Sequence, residues 1–205
     1  MADRRERKGG LMRPRLTISV AGAAFLLLVG CGAGDGRQTY TSKEKGFSLK
    51  LPKEWVVGQT FRGASSTTFH FYRDRNAPDA AHVAVTVMEP LQPGITAQAI
   101  LDQYRTGLAE TFKEKARAKT PYDVSPTSKV WEETGAGSLQ IGGQDAEWFE
   151  FHFQAIVAQV DLGGVVHSLV KDSRGYVIIA STTGRFSDSP ERAALDAVVR
   201  SFKAT

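Results

Sequence analysis

At 205 residues, with 41% hydrophobic and 23% charged side chains, the chain suits one ordinary domain plus a leader and leaves little room for a second core. Its formal net charge of +4 resides in residues 1–30, where six basic side chains face only Asp3 and Glu6. The remainder is formally neutral, so the body lacks the long-range field that would steer it to a polyanion such as nucleic acid.

The leader reads first. Arg13-Pro-Arg15 precedes the uncharged run 16–30, which is shorter than the ~20 residues of a membrane-spanning helix. A basic start, a short apolar run and small residues before a break are the pattern of a secretory signal. The break, Leu28-Val29-Gly30-Cys31, resembles the bacterial lipobox. That resemblance implies peptidase recognition of Leu28, Val29 and Gly30, and acylation of Cys31 on its sulfur and on the amine freed by cleavage. One acyl chain binds a bilayer reversibly, whereas two or more hold it stably. Met12 opens a leader of more usual form, with residues 1–11 as a start-site extension. Cys31 is the only cysteine, so no internal disulfide is available and the body depends on its core. Gly32, rather than aspartate, follows it; by resemblance to sorting in double-membrane bacteria, that permits delivery to the outer membrane.

The expected organisation is a signal over 1–30, an acylated cysteine with a glycine-rich tether over 31–39, and one domain over 40–205. In "GFSLKLP", residues 46–52, Phe47, Leu49 and Leu51 alternate with Ser48 and Lys50, the period of a half-buried strand. "TTFHFY" places Phe69 and Phe71 opposite Thr68, His70 and Tyr72, and "HVAVTVM" at 82–88 repeats the pattern. These three strands are expected in one antiparallel sheet, with "GQTFRGASS" and "RDRNAPDAA" as loops. The period then changes. Thr96 caps a predicted helix over 96–116, with Ile100, Leu101, Tyr104, Leu108 and Phe112 on one face. "AKTPYDVSPTSK" reads as a long loop.

Strand texture returns in "KVWEET", "GSLQI" and "DAEWFEFHF", with "IGGQ" as a turn. Ile156 breaks the odd-numbered row Phe149, Phe151, Phe153, which predicts a bulge or bend near Gln154. "VVHSLV" and "YVIIAST" form a hairpin turning at Asp172 to Gly175. Ser189 is the expected cap of a last helix, with Pro190 at its first position and Leu195, Val198, Val199 and Phe202 as the apolar stripe.

Tyr40, Gly46-Phe47-Ser48-Leu49, Leu51-Pro52-x-x-Trp55 and the closing Ser201-Phe202-Lys203 resemble the PsbP-like fold. It is shared by an extrinsic photosystem subunit, the Mog-type nuclear transport factor and the DcrB-like bacterial lipoproteins. The resemblance implies an α+β domain, an α/β/α sandwich whose antiparallel sheet has about six or seven strands covered by helices. It also implies a binding or accessory role without catalysis. The matching residues are packing residues: Phe47 and Leu49 in the core, Pro52 and Trp55 at a corner, and Phe202 under the helix. With the lipobox, the likeness points to the DcrB-like branch.

Chemistry is sparse. A dinucleotide fingerprint through Gly135 and Gly137 fails at Gln140, and no Gly-x-Ser-x-Gly elbow occurs. The four histidines, His70, His82, His152 and His167, lack the close spacing of a zinc site. Sheet pairing could still bring His70, His82, Glu150 and His152 onto one face, the one acid-base or metal constellation the pattern allows. Ordinary half-exposed strand positions beside a helix are the favoured reading of them. Trp131, Trp148 and Tyr72 are candidates for a binding surface or for core packing. The reading is therefore an extracytoplasmic lipoprotein, a non-enzymatic binding or accessory subunit of an envelope complex, with no cofactor, metal or nucleic acid. The alternatives are a small hydrolase or metal-dependent enzyme on the histidine-bearing face, or a small-ligand carrier.

Overall fold

The computed structural model describes residues 36–74, 76, 81–118, 131–155 and 160–205. The predicted signal sequence with Cys31, the predicted loop after the first helix, and Ile156 lie outside the described residues.

Two antiparallel sheets make the fold. The smaller joins β1 (Arg37–Ser42), β2 (Phe47–Pro52) and β11 (Lys203–Ala204), in the order β1-β2-β11. The larger contains β3 (Val56–Val57), β4 (Phe61–Arg62), β5 (Ser66–Tyr72), β6 (His82–Met88), β7 (Trp131–Ile141), β8 (Gln144–Ala155), β9 (Val160–Lys171) and β10 (Arg174–Thr183). Its order is β3-β5-β6-β10-β9-β8-β7, with β4 beside β3 on the same edge of β5.

The first three predicted strands therefore do not share a sheet. β5 pairs with β6, Phe69 opposite Val85, but β2 belongs to the small sheet. Its alternation correctly places Phe47, Leu49 and Leu51 inward, all at most 2% exposed. Which sheet receives them is a long-range choice that alternation does not encode. Arg37, Gln38 and Thr39, tether by composition, pair with Pro52, Leu51 and Lys50.

Helix α1 (Ala97–Ala118) covers one face of the large sheet. Thr96 Oγ1 accepts the Ala99 amide at 3.1 Å, an N-cap that satisfies one of the free donors of the first turn. Ile100, Leu101 and Phe112 bury against Phe149, Phe151, Phe153, Val166 and Val177. Trp131 stacks on Phe151 at a centroid distance of 5.0 Å, at the edge of this layer.

The opposite face carries the small sheet and helix α2 (Arg192–Arg200), whose Leu195, Val198 and Val199 join a second core with Phe47, Phe69, Val85, Tyr176 and Phe202. The result is the sandwich expected from the sequence, helix on one side and helix plus small sheet on the other. Helix α2 starts later than predicted. Ser189 Oγ accepts the Glu191 amide at 3.1 Å, and a turn through Pro190 and Glu191 precedes the helix proper.

Three local features of the sheet also differ from expectation. β7 is one strand where two were predicted, its register shifting between Glu133 and Gly135. β8 pairs regularly with β9 through Gln154 and Ala155, so among the described residues no bulge or bend occurs up to Ala155. The β9–β10 turn is Asp172-Ser173, both at positive φ, while Arg174 and Gly175 are already in the strand. Local hydrogen bonding lets Asp tolerate this conformation.

Candidate functional site

Strand register decides what the histidines can do. His70 and His82 project on the α1 side of the sheet, where Tyr72 lies opposite His82 and His82 opposite Ser181. His152 and His167 project on the α2 side, beside Gly163 and Ile178. The constellation of His70, His82, Glu150 and His152 is thus not assembled: its members occupy opposite faces, with β10 and β9 between β6 and β8. Period-two parity fixes which residues of one strand share a face, but not which face of the final sheet they occupy.

What forms instead is a hydrogen-bonded imidazole pair. His70 Nδ1 and His82 Nε2 are 2.9 Å apart, with ring planes 10° apart. Tyr72 stacks on His82 at 4.7 Å, and Phe61 meets His70 edge-on at 5.2 Å. Ser181 Oγ lies 3.4 Å from His82 Nδ1. Burial pushes His82 down to about 4, and the neighbouring His70 adds to the effect; burial also lowers His70. So weak a base is poorly matched to proton abstraction at neutral pH, and the pair acts as a packed, neutral unit.

Glu150 and His152, on the α2 side, are similarly engaged. Glu150 is buried, accepts from Thr134 Oγ1 at 3.0 Å and faces Arg192 at 3.6 Å, partners that offset the cost of burying a carboxylate. His152 Nε2 meets Asp161 at 2.6 Å. Trp148 lies over Gly135 and Gly137, where an added Cβ would sit 3.3 and 3.2 Å from its indole. Trp131, Trp148 and Tyr72 are all half-buried packing groups. Among the described residues, no group of three or more His, Cys, Asp or Glu side chains converges as a metal site would require.

A cleft of about 410 Å³ opens elsewhere, between β1 and the β3–β4 edge of the large sheet. Tyr40, Val57 and Phe69 form its apolar floor; Ser42, Gly58, Thr60, Glu44 and Arg62 line the remainder. Gly58 lets the edge segment lie close to β5: its amide donates to the His70 carbonyl at 2.7 Å, and an added Cβ would stand 2.3 Å from the Tyr72 ring. At the rim Arg62 Nη2 and Glu44 Oε2 are 3.7 Å apart, both side chains largely exposed. Sequence reasoning took Tyr40 for packing and residues 58–66 for loop, so it missed this site. The available signal was Phe61-Arg62, an aromatic beside an arginine in a stretch of small polar residues.

No protein-family model matches the chain, and no curated protein sequence matches it. Solved structures do. The chain is similar to cyanobacterial PsbP (CyanoP) from Synechocystis sp. PCC 6803, with 18% identity and a TM-score of 0.57 over 87% of this chain and 99% of that one. It is also similar to the Saccharomyces cerevisiae Ran-binding protein Mog1p, with 9% identity and a TM-score of 0.51 over 83% and 96%. With an antiparallel sheet between α1 and the layer of α2 and the small sheet, the chain has the PsbP/Mog-type fold.

Proposed function

We propose that this protein is a membrane-anchored lipoprotein on the extracytoplasmic side of the cell, serving as a non-enzymatic binding or accessory subunit of an envelope complex. The observation that carries the reading is the position of the cleft. Its first wall, β1, begins six residues after Cys31, so this recess lies close along the chain to the end that the lipobox would fix to the membrane. The lipobox-like Leu28-Val29-Gly30-Cys31 and the basic, apolar leader support the anchor. The fold supports binding: Mog1p is a Ran-binding protein, and an envelope protein is the corresponding partner for an extracytoplasmic chain.

Fractionation with intact-mass measurement tests the reading. The native protein should partition with membranes and have the mass of an acylated chain starting at Cys31; Cys31→Ser should abolish both. In-cell crosslinking should trap a discrete membrane protein. Wild-type protein found unprocessed, without acyl mass and outside the membrane fraction would refute the anchor. Exclusively monomeric protein after crosslinking would refute the accessory role.

A further inference from the structure

We propose that the outer face of the small sheet rests on the anionic phospholipid headgroups of the membrane to which Cys31 attaches the protein. The inference rests on the anchoring reading above and adds to it the surface by which the domain meets the bilayer.

Register defines the face. Tyr40, Phe47, Leu49, Leu51 and Ala204 turn inward and are at most 9% exposed. Strand pairing gathers the alternate positions on the other side: Arg37, Thr39 and Thr41 of β1, Ser48 and Lys50 of β2, and Lys203 of β11. Thr39, Thr41, Lys50 and Lys203 are exposed, and Arg37 and Ser48 partly so. This side carries three basic groups and no carboxylate. Lys50 and Lys203 have no ion-pair partner among the described residues. At the ends of β2, Lys43 is followed by Glu44 and Lys53 by Glu54, so the flanking turns add no net charge; Glu44 is already engaged by Lys45 and Arg62. The tether contributes one acid, Asp35, which lowers the local charge without cancelling it. A body that is neutral as a whole thus carries a local positive patch, assembled by pairing strands from the two ends of the domain.

The chemistry of the face selects a lipid surface over a protein. Protein interfaces are anchored by buried aromatic and other large apolar side chains, and lysine is depleted in them. This face has no aromatic ring, and Pro52, opposite Arg37, is its apolar position. Lysine and arginine beside threonine and serine hydroxyls supply what phosphate oxygens take, positive charge with N–H and O–H donors.

Reach agrees. Screening limits such an attraction to ~8 Å at physiological ionic strength, so it acts only on a face already held close to the bilayer. Arg37 follows Cys31 by six residues, at most ~22 Å of extended chain. Acylation therefore keeps the small sheet near the headgroups and makes the second contact intramolecular. Each basic side chain that reaches an anionic surface then favours the seated state about fivefold. From the membrane outward the layers run small sheet with α2, large sheet, α1. Helix α1 is thus presented away from the lipid.

The test uses the full protein, purified from membranes in mild detergent and inserted into preformed vesicles of phosphatidylcholine alone or of equal parts phosphatidylcholine and phosphatidylglycerol. Acylation by a water-soluble amine reagent, read by peptide mass spectrometry, reports each lysine. With phosphatidylglycerol at low salt, labelling of Lys50 and Lys203 should fall at least about fivefold relative to phosphatidylcholine alone, and should recover at high salt. Lys113, in α1 across the large sheet, should label equally in both vesicles. In the double variant Arg37→Gln, Lys50→Gln, Lys203 should regain most of its labelling, with circular dichroism establishing that the variant is folded. Equal labelling of Lys50 and Lys203 in the two vesicles, a matching fall at Lys113, or undiminished protection of Lys203 in the variant would overturn the proposal. Protection in native envelope fragments but not in vesicles would assign the face to a protein and overturn it also. Intact mass separates the two readings: an acylated chain without lipid-dependent protection defeats this inference alone, whereas a chain without acyl groups defeats the anchoring reading and this one with it.

Discussion

Replacing His167 by leucine should remove a defined part of the protein's acid sensitivity. His167 is buried on the α2 side of β9, 6% exposed, and its Nδ1 has no hydrogen-bond partner. Burial lowers it to about 4, with the Arg200 charge adding to the effect. In the unfolded chain the imidazole returns to about 6.5. The unfolded state therefore binds more protons between these values, and stability falls as pH falls. The contribution is complete above pH 6.5 and is lost as pH drops toward 4. At 1.36 kcal/mol per pH unit the loss approaches about 3 kcal/mol, a large share of the ~5–15 kcal/mol that holds a domain together. Urea unfolding followed by tryptophan fluorescence at pH 7 and pH 4 measures it. His167→Leu should lie within about 1.5 kcal/mol of wild type at pH 7 and lose about 3 kcal/mol less on acidification. Because other groups titrate in both proteins, the difference isolates this side chain. Equal losses in the two proteins would refute the burial of a neutral imidazole at this position.

Other substitutions probe the backbone and the caps. A Cβ at Gly163 would lie 2.3 Å from the Phe186 amide nitrogen and 2.4 Å from the Gly184 carbonyl; since backbone cannot rotate away, Gly163→Ala should cost roughly 3 kcal/mol or more in urea melts. Gly107 in α1 meets nothing within 4 Å, so Gly107→Ala should stabilise by up to about 1 kcal/mol, raising the thermal midpoint. Thr96→Ala removes the cap of α1 and should cost about 1 kcal/mol by the same melts. Phe47→Ala should be far more damaging, about 3–5 kcal/mol, because its ring is fully buried between Tyr40, Phe69 and Phe202; near-wild-type melting would mean that the small sheet does not pack there.

Local chemistry was enough to read the main strands and both helices of this protein, but not the edge strands β1, β3, β4 and β11. The alternation of Phe47, Leu49 and Leu51, the three- and four-residue spacing from Ile100 to Phe112, and the cap at Thr96 depend on neighbours a few residues away, and each appears in the structure as expected. The neutral body and the lipobox-like run ending at Cys31 are likewise properties of the chain itself. Tertiary structure alone decided the rest. It sent β2 to a different sheet from β5 and β6, put His70 and His82 on one face with Glu150 and His152 on the other, and left His167 in a core without a partner for Nδ1. The cleft belongs to that second class, because Tyr40 and Arg62 meet across the edges of two sheets. A residue's parity within its strand is written in the chain, whereas the strand it will face depends on pairings between distant segments and on the burial those pairings make possible.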